Sequence, residues 1–361
     1  MTLRPRPASD ATFDLLALGE CMIRLSPPGH QRIELTPVFE AYAGGGEYNV
    51  AYALARYGLR TGWISRLVDN PLGHFIQNHA RQSGMDLSEV VWVPYDGVGR
   101  TERIGLNFTE VGMGVRASVS LYDRGHTAVS HMRPGEVDWA RIFGERKVRW
   151  FHTGGIFSAL SDTCVAVALE AVQAARRAGT VVSYDLNYRS KLWPSERAIE
   201  VTRRLVPYVD VLIGNEEDFQ KSLGFTVPGT DPSLRSLPVA AYERMVTEVV
   251  ATYPELQVVG TTLREVTSGQ VNNWSAVLYQ DGQFYRSRRY EDLAIEDRVG
   301  GGDGFSAGVI YGLLEGMPPE DSVEFGAAHG ALVQSTRGDT SMVTLAEVKS
   351  LLGGRTARID R

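Results

Sequence analysis

The sequence is poor in cysteine and has no long apolar segment. Its two cysteines, Cys21 and Cys164, lie far apart, which argues against a disulfide framework or a thiolate zinc site. Its apolar runs have only strand length, and residues 1–10 carry two arginines and two prolines instead of the apolar stretch of a signal peptide. We therefore expect a cytoplasmic protein without a membrane partner, with loose ends at about residues 1–12 and 353–361.

The sequence also lacks an excess of basic residues. Lysine and arginine number 37 against 43 aspartates and glutamates, a formal net charge of −6, so nucleic acid is not an expected partner. It contains no H-E-x-x-H, no G-x-S-x-G and no G-x-G-x-x-G after a strand, which removes the usual signals of zinc proteases, α/β-hydrolases and dinucleotide-binding folds. A hydrophobic content of 43% is enough for the core of a sizeable enzyme.

Short β-branched runs alternate with helical patterns along most of the chain. This alternation is typical of α/β proteins with a mostly parallel sheet, and we predict a single domain over residues 1–361. The predicted strands lie at 14–19, 61–64, 180–185, 209–214 and 256–260, and the clearest predicted helices lie at 47–57 and 163–178. The polar, proline-bearing stretch 226–238 is predicted to be a loop.

Two stretches, residues 23–39 and 103–129, alternate apolar and polar side chains instead of showing helical spacing. We expect antiparallel strands that form a small sheet, which covers the site as a lid; two ordinary surface hairpins are the alternative. The predicted boundaries are about 14–23, 44–97 and 131–345 for the α/β core and about 24–43 and 98–130 for the lid.

A glycine turn that ends in a carboxylate occupies residues 300–303. The apolar side chains that follow recur at helical spacing, as Phe305, Val309, Ile310, Leu313 and Leu314. Unpaired N–H groups at a helix start predict an anion site at Gly300, Gly301 and Gly302. A carboxylate in a turn that only bound phosphate would repel its ligand. As a general base, however, Asp303 would accept the proton of an attacking hydroxyl during phosphoryl transfer. The alternative is a simple N-cap in a tight turn.

The segment 297–308 resembles the D-T-x-G-A-G-D-x-F signature of the ribokinase-like (PfkB) carbohydrate kinases. Residues 44–58 resemble the other signature of that family, G-G-x-x-x-N-x-A-x-x-L-A-x-L-G. The resemblance implies a three-layer α/β/α sandwich with a β-sheet lid, and ATP and Mg²⁺ as cofactors. It further implies that Asp303 is the catalytic base, that Asp297 shapes the loop of the anion hole, and that Gly45 and Asn49 hold sugar hydroxyls.

Residues 185–193 are similar to the D-x-N-Y-R-x-x-L-W segment of the 2-keto-3-deoxygluconate kinases within that family. Arg189 would then bind the carboxylate of an acid sugar, because a guanidinium pairs with a carboxylate through two hydrogen bonds. An ion pair with an internal Asp or Glu is the alternative. The resemblance makes Ile156 an apolar wall for the sugar. Arg24 stands where fructokinases and ribokinases usually carry a sugar-binding Asp, which argues against a neutral sugar.

The lid departs from this branch, because Asn107 and Thr109 stand where the branch has a tyrosine and an arginine. These two residues, with Tyr122 and Arg124 from the next strand, are expected to contact the sugar. The missing positive charge is expected from one of three arginines, Arg103, Arg116 or Arg124.

Residues 215–218 resemble the N-x-x-E motif that orients magnesium and phosphates through water. Asn215 is assigned to the nucleotide, and either Glu217 or Asp218 to the metal, since Mg²⁺ usually keeps several waters. Thr262 and Arg264 replace the usual ATP-binding loop, and Arg264 is expected to contact a phosphate.

His329 stands in the helix that resembles the segment lining the adenine pocket, and we expect it to contact ATP. The expected small-molecule partners are thus a sugar acid and ATP, and the exposed edges of the lid strands are places where a homo-oligomer could form. Two other functions remain open, a kinase of the same fold for another sugar and a non-catalytic sugar or nucleotide sensor.

Overall fold

The computed structural model describes residues 3–225 and 239–354, so the predicted loop at 226–238 lies outside the described residues. The strands are β1 (Phe13–Leu18), β2 (Met22–Ser26), β3 (Glu40–Gly44), β4 (Thr61–Asp69), β5 (Val90–Pro94), β6 (Leu106–Glu110), β7 (Val119–Asp123), β8 (Val148–Gly154), β9 (Val181–Asp185), β10 (Val211–Ile213), β11 (Val258–Val266), β12 (Val271–Gln280), β13 (Gln283–Arg286) and β14 (Tyr290–Ala294). The helices are α1 (Gly46–Arg56), α2 (Pro71–Ser83), α3 (Gly155–Ser158), α4 (Asp162–Arg177), α5 (Ser195–Leu205), α6 (Glu216–Leu223), α7 (Val239–Thr252), α8 (Gly301–Leu314), α9 (Pro319–Val333) and α10 (Leu345–Leu352).

The large sheet has the strand order β13-β12-β11-β10-β9-β8-β1-β4-β5, with β14 paired to β12. From β11 to β5 the neighbouring strands are parallel, and β12 pairs with β11, β13 and β14 in antiparallel fashion. The predicted mostly parallel sheet is therefore confirmed. The carboxyl ends of its parallel strands meet at one edge, where ligand sites of such sheets usually lie.

Helices cover both faces of the large sheet. One apolar core contains buried side chains of α1, α8 and α9, such as Leu54, Phe305 and Phe325. The other core, on the opposite face, contains buried side chains of α4 and α7, such as Val167 and Met245. This arrangement confirms the three-layer α/β/α sandwich.

The second sheet, called the lid sheet below, has the order β3-β2-β6-β7. Its outer pairs, β2–β3 and β6–β7, are antiparallel, as predicted. The central pair differs, because β2 and β6 are parallel. The long connection between β2 and β6 leaves their relative direction free, whereas a hairpin would force it to be antiparallel. Residues 27–39 are likewise not a strand but a loop with a 3-10 turn at Ile33–Leu35.

The N-terminal segment, predicted to be loose, is attached to the core in its described part. Arg149 Nε donates to the Arg6 carbonyl at 2.8 Å, and Arg6 Nη2 donates to the Ala178 carbonyl at 2.6 Å. Arg60 Nη2 donates to the Ala8 carbonyl at 2.9 Å. Within residues 3–225 and 239–354, no helix is long and apolar enough to cross a membrane.

Candidate active site

A cleft of about 710 Å³ lies between the lid sheet and the carboxyl edge of the parallel strands. Most of the residues that the sequence assigned to a site line this cleft together. These are Gly45, Asn49, Asn107, Thr109, Tyr122, Arg124, Ile156, Arg189, Asn215, Glu217, Asp218, Thr262, Arg264, Gly300, Gly302 and Asp303. Gly301 is buried beside the cleft, against the Gln334 side chain.

The glycine turn lies at the N-terminus of α8, as its sequence predicts. Gly300 has φ +85°, a left-handed conformation that glycine adopts without strain. A Cβ added to Gly302 would meet no atom within 4 Å, so a ligand can approach the backbone closely there. The N–H groups of this first turn and the helix dipole favour an anion at this end of the cleft.

Asp303 lies in the same turn, and its carboxylate is held by Asn49 of α1. Asn49 Nδ2 donates to Asp303 Oδ2 at 2.6 Å, while Asn49 Oδ1 accepts from Gly45 N at 3.2 Å. Burial raises the pKa of Asp303, and the Asn49 hydrogen bond and the positive charge of Arg189 act in the opposite direction. Asn49 was assigned to sugar hydroxyls only, so its contact with Asp303 is an addition from the structure.

Replacing Asn49 by Ala should shift the acid limb of the kcat/KM profile to higher pH. In the wild type this hydrogen bond favours the charged form of Asp303, so its removal raises the pKa of Asp303. Asp303 is predicted to be the general base, and a general base must be ionised to accept a proton, so activity is expected to fall as pH falls through the raised pKa. The shift is read from kcat/KM measured against pH. Asn107→Ala is the control, because Asn107 lines the cleft without contacting Asp303. An unchanged acid limb in Asn49→Ala would exclude this link.

Arg189 projects from the loop after β9 and lines the cleft. Its Nη1 donates to the Tyr188 carbonyl at 2.9 Å, and within the described ranges no carboxylate lies at ion-pair distance from its guanidinium. The loop is fixed because Tyr188 N donates to Asp218 Oδ1 at 2.8 Å. An exposed arginine without a carboxylate partner at a cleft wall is able to bind an anionic ligand.

The lid sheet and the turn after β7 supply a polar wall whose two arginines, Arg24 and Arg124, are both paired. Thr109 Oγ1 donates to Asn107 Oδ1 at 3.1 Å. Arg124 lines the cleft but forms an ion pair with Glu20. The two other arginines considered for this wall, Arg103 and Arg116, do not line the cleft. Arg103 pairs with Asp123, and Arg116 pairs with Glu110.

On the opposite side of the cleft, Asn215 and Asp218 cap helix α6. Asp218 Oδ2 accepts from Asn215 N at 2.9 Å, and its Oδ1 accepts from Tyr188 N. Both of its oxygens are thus engaged, whereas Glu217 is exposed and also lines the cleft. Glu216, which the sequence analysis did not single out, lines it as well, and burial raises its pKa.

These carboxylates fit a magnesium ion held mainly through water. The described part of the chain contains no group of three His, Cys, Asp or Glu side chains arranged to hold a metal directly. Mg²⁺ in phosphoryl-transfer sites is usually bound by one or two carboxylates, with water and phosphate as its other ligands. Glu216 and Glu217 provide such carboxylates.

Two arginines enter the side of the cleft that the sequence analysis assigned to the nucleotide. Arg264 lies on β11, and Arg298, not assigned before, precedes the glycine turn and donates through Nη2 to the Ser268 carbonyl. The structure does not place His329, expected to contact ATP, in the cleft. His329 is fully buried, its Nε2 lies 2.8 Å from Ser341 Oγ, and its ring packs on Tyr57. An inward-facing position on α9 explains this, because the helical pattern does not tell which face meets the core.

The fold is that of the ribokinase-like carbohydrate kinases, a class of enzymes that phosphorylate sugars. The family model described as pfkB family carbohydrate kinase matches residues 12–345 of this chain, so the chain belongs to this family. It is accordingly a phosphotransferase that acts on an alcohol group.

Several relatives are kinases of dehydro-deoxy sugar acids or sugars. The chain is 34% identical to the 2-dehydro-3-deoxygalactonokinase of Haloferax volcanii, over 97% of this chain and 100% of that protein. It is 29% identical to the 5-dehydro-2-deoxygluconokinase of Shouchella clausii, over 94% and 95% of the two chains. The crystal structure of 2-dehydro-3-deoxygluconokinase from Thermotoga maritima has 39% identity and a TM-score of 0.87, covering 94% of this chain and 99% of that one.

Proposed function

We propose that the protein transfers the γ-phosphoryl group of ATP to the terminal hydroxyl of 2-keto-3-deoxygluconate or a closely related acid sugar. The observation that carries this proposal is Arg189, which lines the same cleft as Asp303 and has no carboxylate at ion-pair distance within the described residues. An acid sugar supplies a carboxylate for this guanidinium, whereas a neutral sugar does not. The names of the relatives support the same substrate class.

In this mechanism Asp303 accepts the proton of the sugar hydroxyl as the hydroxyl oxygen attacks the γ-phosphorus. The bond between the γ-phosphorus and the β–γ bridging oxygen breaks, and ADP leaves. The N–H groups at the start of α8 stabilise the charge that develops on the transferred group. Gly45 and Asn49 hold sugar hydroxyls, Asn107, Thr109 and Tyr122 line the lid side, and Ile156 forms the apolar wall.

On the nucleotide side, Asn215, Thr262 and Arg264 bind ATP, and Arg298 joins them through its position beside the glycine turn. Glu217 or Asp218 would hold Mg²⁺ through water, and Glu216, which lines the same wall, is a further candidate. Magnesium, when bound, neutralises phosphate charge. A cytoplasmic location belongs to the same proposal, since the reaction consumes ATP.

The test is a coupled ADP-release assay with ATP and magnesium across acid and neutral sugars. We expect release with 2-keto-3-deoxygluconate or its C4 epimer and little with fructose, ribose or nucleosides. Faster release with a neutral sugar would favour a kinase of the same fold with another substrate. Ligand binding without any ADP release would favour a sensor and contradict the proposal.

The lid sheet is also proposed to join two copies of the chain. Strand β7 lies at the edge of this sheet, and its side chains Val119 and Leu121 are 49% and 57% exposed. An apolar edge strand of this kind is suited to pairing with a second copy. Leu121→Lys should therefore convert a dimer into a monomer, as measured by light scattering during size-exclusion chromatography.

The matched control for this prediction is Leu72→Lys. Leu72 is a comparably exposed leucine, at 46%, on α2 rather than on the lid sheet. A monomeric wild-type protein, or a dimer that Leu121→Lys leaves intact, would exclude the lid as the interface.

A further inference from the structure

Three charged side chains form a buried cluster behind the glycine turn. Arg24 of β2 forms ion pairs with Asp297 and Asp339, and the three side chains are 2%, 3% and 8% exposed. Arg24 Nη1 donates to Asp339 Oδ2 at 3.3 Å, and its Nε donates to Ser26 Oγ at 3.0 Å. The cluster therefore links the lid sheet to two loops of the α/β core.

Asp297 holds the loop that leads into the glycine turn. Its Oδ1 accepts from Val299 N at 3.1 Å, and its Oδ2 accepts from Gly338 N at 3.4 Å as well as from Arg24. Val299 directly precedes Gly300, where the backbone is left-handed. The position of the first amides of α8 thus depends on where the Asp297 carboxylate is held.

Asp339 lies between the two glycine segments of the site. A Cβ added to Gly44 would lie 2.2 Å from Asp339 Cβ, and one added to Gly300 would lie 2.4 Å from the Asp339 carbonyl oxygen. Burial raises the pKa of Asp339 to about 6, against the opposing effect of Arg24. One guanidinium thus fixes two acidic groups that contact the loops before α1 and α8.

We propose that Arg24 is a positioning residue for phosphoryl transfer, because it connects the lid sheet through Asp297 to the loop that places the anion-binding amides. This inference rests on the proposed function. Buried ion clusters stabilise proteins weakly compared with apolar side chains of similar size, so stability alone is a poor reason for this one. A cluster that borders the cleft on one side and the glycine turn on the other is suited to set the geometry of the turn.

Arg24→Lys tests the proposal. Lysine keeps the charge, but its single ammonium cannot reproduce the planar fork that reaches Ser26, Asp297 and Asp339 together. We expect kcat to fall about 10²-fold, the cost of a displacement of about 1 Å in a reacting site. The KM values for ATP and for the acid sugar should change less than about threefold, because the residues proposed to bind them remain in place.

The matched control is Arg103→Lys, a lid arginine that pairs with Asp123 and does not line the cleft. It should leave kcat unchanged. Thermal unfolding of both variants, followed by circular dichroism, shows whether each is folded at the assay temperature.

The possible results separate the two proposals. A folded Arg24→Lys enzyme with lowered kcat and nearly unchanged KM values supports the positioning role. If the wild type is active and Arg24→Lys has the same kcat, the positioning role is overturned and the proposed function stands. A raised KM for the acid sugar with unchanged kcat overturns it too, since Arg24 would then be a substrate ligand. An unfolded Arg24→Lys variant would show that Arg24 has only a structural role, which overturns the positioning role. A wild-type protein without kinase activity would contradict the proposed function itself.

Discussion

Replacing Asp303 by Asn should lower kcat by a factor of about 10² to 10⁴, the usual contribution of a positioned general base. The substitution keeps the size of the side chain and its place beside Asn49, but the amide cannot accept the proton of the sugar hydroxyl. The amides at the start of α8 and the ligands of the sugar are unchanged. The KM values should therefore remain within about threefold of the wild type in the coupled assay.

Asp162→Asn is the matched control for this result. Asp162 also lies in the first turn of a helix, α4, but it is exposed and forms its ion pair with Arg197 on the surface. Its replacement reports what the loss of a carboxylate near a helix N-terminus does to stability alone. Near-normal turnover in Asp303→Asn would remove Asp303 as the base, and similar losses of kcat in both variants would point to a general effect.

Replacing Arg189 by Met should raise the KM for the acid sugar about tenfold to 10²-fold, the effect of losing a hydrogen-bonded charge pair. Methionine retains much of the apolar stem and removes the guanidinium. The KM for ATP should stay within about threefold, because Arg189 is assigned to the sugar carboxylate. Initial rates measured over a range of acid-sugar concentrations at saturating ATP check this.

Two comparisons make the Arg189 result specific. Arg177→Met removes an exposed arginine from the end of α4, outside the cleft, and should leave both KM values unchanged. A poor neutral sugar, which has no carboxylate, should lose little rate in Arg189→Met when rates are compared on the pH plateau. The plateau is needed because loss of the Arg189 charge also raises the pKa of Asp303. An equal loss with acid and neutral sugars would show that Arg189 does not recognise the carboxylate.

Local sequence was sufficient for several segments that carry their own signal, although not for residues 27–39, where alternation predicted a strand and the structure has a loop. The turn at Gly300 and the start of α8 follow from glycines before an apolar stripe, and the structure has the helix from Gly301 to Leu314. The same holds for the predicted strand at 14–19, found as β1, and for the helix at 47–57, found as α1. Periodicity within a segment reports burial on one face, which is a local property.

Contacts between segments that lie far apart in the chain could not be predicted from the pattern within one segment. The parallel pairing of β2 with β6 depends on how two segments about eighty positions apart are brought together. The burial of His329 depends on which face of α9 meets the core, and the pairing of Arg124 with Glu20 joins residues 104 positions apart. No short-range pattern encodes such partners.

The sequence by itself determined the class of fold and the position of the glycine turn with its carboxylate, because strand, helix and turn signals are carried by neighbouring residues. Only the tertiary structure decided which charges are already paired. In the structure, Arg24 and Arg124 form ion pairs with buried carboxylates, whereas Arg189 has no carboxylate at ion-pair distance among the described residues. The reason is physical: whether an arginine can bind a ligand depends on the carboxylates within a few ångströms of it, and these come from remote parts of the chain.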